Sequence, residues 1–288
     1  ATILAEKYIE NNNNLDVMKK LYKLLCFLGL FDKAYEVYEK ISLMNYSVNP
    51  TYFMPTFLAR GEIGKAYQQY RNESITDVLY SFFEEKFARF SQDDQIAIES
   101  KDVILSCYGP GDEIRFASIY NEFKNLSFDA NVTCDIRLFP LMERSFPFIK
   151  FIPVFRSRSI DFEHPIELYN NLPSKTLTTI MDNNLIEIIN SDRCERFYLV
   201  TSLISQYRNV YPDFDGEKYF CIDELKKNYF NERLPKDRVI VGINWRSSLN
   251  AFARSEHYLS AEEILPILDI EGVCFVNLQY DDCSKELE

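Results

Sequence analysis

The sequence predicts a two-part architecture, with helical hairpins over the first third and parallel α/β units after it. Three observations predict it. Apolar residues recur at helical spacing over 15–28 and again over 31–41, with Gly29 between the runs. The pattern then repeats, because "LCFLGLFDKAYEVYEK" (25–40) aligns with "FLARGEIGKAYQQYRN" (57–72) and Gly61 follows Gly29 by 32 residues. From Lys101 onward, short apolar runs alternate with helix-like stretches, the rhythm of strand–helix–strand units.

Each element follows from local chemistry. In the repeat, Lys33-Ala34-Tyr35 matches Lys65-Ala66-Tyr67 and Tyr38 matches Tyr70. A glycine between two helices, then a small residue that lets them pack closely, is what a helical-hairpin repeat needs. The period is near that of tetratricopeptide repeats, and the segment resembles that family. An ordinary helical bundle is the alternative. After Lys101, strands are expected around 103–107, 132–134 and 148–154, with helical stretches at 114–123 and 138–145. The stretch 156–235 is rich in Tyr, Asn and Pro with weak periodicity, and 195–210 fits a strand or a helix equally well. A further unit follows: a strand at 238–244, a helix opened by the capping box Ser260-Ala261-Glu262-Glu263, and a strand at 273–278. Two strands and one helix cannot cover a sheet, so the chain is expected to be cut within its last domain. The expected boundaries are 1–95, 101–235 and 236–288.

Composition narrows the function. The net charge of −12 argues against wrapping nucleic acid or lying on an anionic membrane. No apolar run approaches the roughly 18 residues that span a bilayer. Seven cysteines, an odd number without a CxxC pair, read as free thiols in a reducing, cytoplasmic setting. With only His164 and His257, a zinc site is not expected.

Two loops gather chemistry. "GPGDE" (109–113) follows an apolar run and opens a helical stretch, the place where open α/β sheets bind ligands. Gly109 and Gly111 would let the chain turn tightly and leave room for a ligand. Asp112 and Glu113 either cap the helix and favour its dipole, or one of them serves as a general base. The pattern is neither GxxxxGK[ST] nor GxGxxG. The second loop, "VGINWRSSLNAFARSEHYLS" (241–260), brings together Arg246, Ser247, Ser248, Arg254 and His257. Arginine and hydroxyls after a strand suit a phosphate, although the arginines could instead pair with surface acids. Trp245 is a packing residue or a pocket wall, and His257 a loop hydrogen-bonder. Gln279 and Asp281 stand where the next strand ends, as ligand contacts or turn residues.

Taken together, "YGPGDEIRFASIY", "CDIRLFPLMERSFPFIKFIPV", "GINWRSS" and "FVNLQYDD" resemble bacterial tetratricopeptide-repeat proteins that carry a GT-B glycosyltransferase domain. That domain is similar to heptosyltransferases and, more distantly, to O-linked N-acetylglucosamine transferases. The resemblance implies two Rossmann-like domains facing a cleft, an acceptor domain over 101–235 and the start of a donor domain over 236–288. It makes Asp112, in the matching Gly111-Asp112, the base. It assigns Arg246, Ser247 and Ser248 to the donor diphosphate, with Arg254 beside them. Gly109, Gly111, Glu113, Trp245, His257 and Gln279 would line the pocket. The family's later donor-binding turn is expected beyond residue 288. The implied activity is inverting, metal-independent transfer of a sugar from a nucleotide-sugar, which is substrate rather than cofactor, to a hydroxyl of a protein or glycan. The repeats would offer a surface to a protein partner. The alternatives are a noncatalytic scaffold with a degenerate GT-B domain, or another chemistry on the same fold, such as an epimerase or a phosphorylase. A phosphorylase would need a pyridoxal-binding lysine, which the sequence does not place.

Overall fold

The computed structural model describes residues 14–44, 48–91, 93–157, 165–247, 258–279 and 282–286. The chain divides into two compact units, residues 1–221 and 222–288.

The first unit opens with the expected hairpin. Helix α1 (Leu15–Phe27) starts where the Asn14 side chain accepts from the Asp16 and Val17 amides, at 3.0 and 3.3 Å. It buries Met18, Tyr22 and Leu25, and α2 (Phe31–Leu43) buries Ala34, Val37 and Ile41, each set at i, i+3/i+4, i+7 spacing. Gly29 joins the helices at φ +70°, and Gly61 ends α3 (Met54–Ala59) at φ +76°. In both places the glycine N–H donates three residues back, to Cys26 and Leu58, each at 3.0 Å. The next N–H donates five residues back, to Leu25 and Phe57, each at 2.9 Å. This paired closure of a helix C-terminus needs a left-handed residue, which is why both copies carry glycine there. Ala34 and Ala66 are both fully buried in one cluster with Phe57.

The second copy departs from the first. Its following helix, α4 (Ile63–Gln68), tightens into a 3₁₀ turn at Gln69–Asn72. Ile63, Tyr67 and Tyr70 then enter the core of the α/β part, against Phe116 and Leu203. Buried Arg71 donates to the carbonyls of Ser91, Asp94 and Ser202 at 2.6, 2.9 and 3.1 Å. The helices and the sheet therefore form one unit, although the sequence suggested a boundary near 95–101.

Helix α5 (Ser74–Phe83) leads into four parallel strands: β1 (Asp102–Leu105), β2 (Ala130–Asp135), β3 (Ile149–Val154) and β4 (Arg196–Leu199), in the order β3-β2-β1-β4. Between them lie α6 (Pro110–Phe116), with a 3₁₀ continuation at Ala117–Asn125, then α7 (Phe139–Ser145) and α8 (Asn183–Asn190). Ile104, Val132 and Tyr198 face one cluster, with Phe116, Tyr120 and Phe123. Val103, Leu105, Phe197 and Leu199 face the other, with Leu79, Leu185 and Ile189. A parallel sheet covered on both faces needs such unbroken apolar strands. The stretch 195–210 is both things the sequence allowed: β4, then helix α9 (Thr201–Tyr207).

The second unit holds α10 (Glu224–Arg233), β5 (Val239–Ile243), α11 (Ala261–Leu268) and β6 (Val273–Asn277), with β5 and β6 paired in parallel. Ser260 and Glu263 form the expected capping box: the Ser260 N–H donates to Glu263 Oε2 at 2.8 Å, and the Glu263 N–H to Ser260 Oγ at 3.3 Å. Buried Trp245, Ile264 and Cys283 form its core cluster. The division falls after Cys221 rather than at 235, because α10 belongs with this unit. Among the described residues no helix is long and apolar enough to cross a membrane. All seven cysteines are free.

Candidate functional site

The chain leaves β1 through Ser106, Cys107 and Tyr108. The left-handed residue of this turn is Tyr108, at φ +69°, and not a glycine. Gly109 has φ −99°, and Gly111 faces open space without a positive φ. The expected glycine turn is thus made by an aromatic residue in a conformation that costs roughly 1–3 kcal/mol. The Tyr108 ring is 39% exposed and lies 5.9 Å from Tyr70 and 6.1 Å from Phe116.

The two acids that follow have opposite fates. Asp112, the third residue of α6, accepts from the Gly109 N–H at 3.4 Å through Oδ2. Its Oδ1 accepts from Arg115 at 3.1 Å, and the same Arg115 nitrogen donates to the Tyr70 hydroxyl at 2.9 Å. Asp112 therefore caps its helix while its side chain stays 43% exposed. Burial pushes the Tyr70 hydroxyl up, with Arg115 opposing.

Glu113 is fully buried and pairs with Arg156, which is equally buried. Glu113 Oε2 accepts from the Asp135 N–H at 2.9 Å, and Arg156 donates to the Ser106 carbonyl at 2.8 Å. One ion pair thus ties together the carboxyl ends of β1, β2 and β3. Beside it, Arg137 grips Asp135 with two bonds of 2.8 Å. The end of β4 carries a different buried group. Thr201 Oγ1 donates to Glu73 Oε1 at 3.2 Å, and burial pushes the Glu73 carboxyl up to about 8 against that hydrogen bond. Burial, and then Glu73, also raise the Cys107 thiol well above its ordinary range.

Sequence reasoning missed Arg156 and Glu73. Arg156 carried a usable signal, since it follows an apolar strand as Arg246 does. Glu73 carried none, because its partner Thr201 lies 128 residues away.

In the second unit, β5 runs into Trp245 and Arg246. Glu286 receives both: Trp245 Nε1 donates to it at 2.8 Å, and Arg246 Nε at 2.9 and 3.0 Å, with a further short contact from the Arg246 terminal nitrogen. Gln279 Nε2 donates to the Arg246 carbonyl at 2.9 Å, so Gln279 supports this loop's backbone. Trp245 packs in the core, the first of its two sequence readings. Ser247 follows Arg246 at the strand's end. Ser248, Arg254 and His257 lie outside the described residues, as do His164 and Asp281. Of the expected phosphate group, Arg246 and Ser247 are placed, and Arg246 already holds a carboxylate.

No protein-family model matches the chain, and no solved structure matches it. Among curated proteins, protein FlbA of Caulobacter vibrioides is 26% identical over 241 residues, covering 80% of this chain. The chain spans 36% of that relative's length.

Proposed function

We propose that this chain carries helical tetratricopeptide-like repeats together with acceptor-side and donor-side elements of a cytoplasmic GT-B glycosyltransferase. The observation that carries the reading is Asp112, 43% exposed in the first turn of α6, just past the carboxyl end of β1. There the strand order β3-β2-β1-β4 reverses direction, and open α/β sheets bind ligands at such switch points. The β–α–β arrangement of the second unit, with Arg246 and Ser247 leaving its first strand, supports the donor side.

In this reading Asp112 accepts the proton of an attacking acceptor hydroxyl, a contribution of about 10²–10⁴ in rate. The Gly109 N–H and Arg115 hold its carboxylate in place, and Tyr70 holds Arg115. The exposed Tyr108 ring offers a flat apolar face for a sugar ring close by. Arg246 and Ser247, with Ser248, bind the departing diphosphate of the nucleotide-sugar and stabilise its charge without a metal. The donor phosphates compete with Glu286 for the Arg246 guanidinium.

A second reading is favoured by the pairing itself. Asp112 rests on Arg115 and Arg246 on Glu286, which is how a noncatalytic scaffold descended from such an enzyme would neutralise its former site. Calorimetry of the full-length protein with UDP, GDP, CDP and ADP separates the two. The transferase reading expects heat from at least one nucleotide, and Asp112→Asn keeps that binding while release of nucleoside diphosphate from nucleotide-sugars falls at least 100-fold. Silence with every common nucleoside diphosphate, ADP included, at millimolar ligand favours the scaffold, and undiminished turnover in Asp112→Asn removes Asp112 from its role.

A further inference from the structure

A cavity of about 240 Å³ lies in the first unit, between the 3₁₀ helix Ala117–Asn125 and the loop around Gly216. Its polar lining comes from Ser118, Asn121, Arg208, Asp215 and Glu217, and its apolar walls from Phe214 and Tyr219. Ser118 and Asn121 stand three residues apart, which places them on one face of a 3₁₀ helix. Arg208, which ends α9, is only 5% exposed. Its terminal nitrogens donate to Glu122 and to the Tyr207 and Ser118 carbonyls, at 2.8, 2.8 and 2.5 Å. Its Nε–H has no hydrogen-bond partner. That nitrogen is sealed away from the cavity, so Arg208 contributes its positive charge to the lining rather than a free donor. The walls are held in place: the Tyr219 hydroxyl donates to the Ile114 carbonyl at 3.1 Å, and Phe214 lies 5.7 Å from the Arg208 guanidinium.

Charge and size select the occupant. The guanidinium disfavours a cation, and the Asp215 and Glu217 carboxylates disfavour an anion. A neutral ligand rich in hydroxyls suits this mixed lining. Its oxygens accept from the Asn121 amide and the Ser118 hydroxyl, its O–H groups donate to the carboxylates, and its C–H face lies on the aromatic rings. The volume is below the roughly 300 Å³ at which drug-sized pockets begin, so it fits a single sugar-sized ring. We infer that this cavity is a monosaccharide-binding site, separate from Asp112 and more than a helical turn along the chain from it. It does not rest on the transferase reading, because a scaffold could bind a glycan here equally well.

Saturation-transfer NMR on the full-length protein, with millimolar methyl glycosides of glucose, galactose and N-acetylglucosamine, tests it. At least one glycoside should bind. Asn121→Ala and Phe214→Ala, both with wild-type circular dichroism, should each weaken it by about tenfold or more, and Asp112→Asn should leave it unchanged. Three results would overturn the inference. One is no binding by any of the three glycosides. Another is binding that neither cavity variant changes. The third is binding that Asp112→Asn removes, which would place the sugar at the other site and so support the transferase reading instead.

Discussion

Each of the two units has a parallel sheet whose first strand ends near an ion pair, yet the two settings differ. In the first unit β1 is buried along its whole length, and the Glu113–Arg156 pair behind it is 0% exposed on both sides. In the second, the Arg246 and Glu286 side chains are 17% and 33% exposed. Apolar composition is similar, since "DVIL" and "VIVGI" are both good strand sequences. What separates them is coverage. Helices pack on both faces of the four-stranded sheet, and only under that cover does a charge become a structural commitment. A carboxylate removed from water must keep its partner, whereas one at a surface can exchange its partner for water.

The sharpest way to break this comparison is Arg156→Ala. It strands the Glu113 carboxylate in the core and should cost about 3–5 kcal/mol in urea denaturation followed by circular dichroism. A loss below about 1 kcal/mol would mean that coverage does not set the value of the pair.

Next comes Glu73, a buried acid whose partner is a hydroxyl. Its folded value of about 8 lies above the ordinary 4.5, so the unfolded chain releases the proton first. Stability is therefore full below about pH 4.5, declines as pH rises towards 8, and levels off above it. Glu73→Gln should flatten that decline and raise stability at pH 8 by on the order of 2–4 kcal/mol. An unchanged pH profile of the melting temperature would show that Glu73 is ionised in the fold.

The smallest effect should come from Arg246→Ala, within about 1 kcal/mol. Trp245 is the single tryptophan and shares Glu286 with Arg246, so its fluorescence follows unfolding of the second unit. A loss as large as that of Arg156→Ala would erase the distinction between the two settings.

Much of the fold was legible because its signals are local. The glycines at 29 and 61, the capping box at Ser260 and the apolar runs of five of the six strands each act within a few residues. The stretch 195–210 could not be read, because β4 and α9 follow one another with only Val200 between them and neither period has room to establish itself. The union of helical repeat and sheet was hidden as well, since Tyr70 and Arg71 look like ordinary residues of a repeat until the chain folds back on them.

At the candidate site, the sequence by itself determined that two acids follow a strand and that an arginine follows another. Tertiary structure alone decided that Asp112 faces solvent while Glu113 is sealed against Arg156, and that Tyr108 rather than a glycine takes the left-handed turn. The physical reason is range. Backbone preference and helix capping depend on near neighbours in the chain, whereas desolvation and charge pairing depend on which distant segments close over a group.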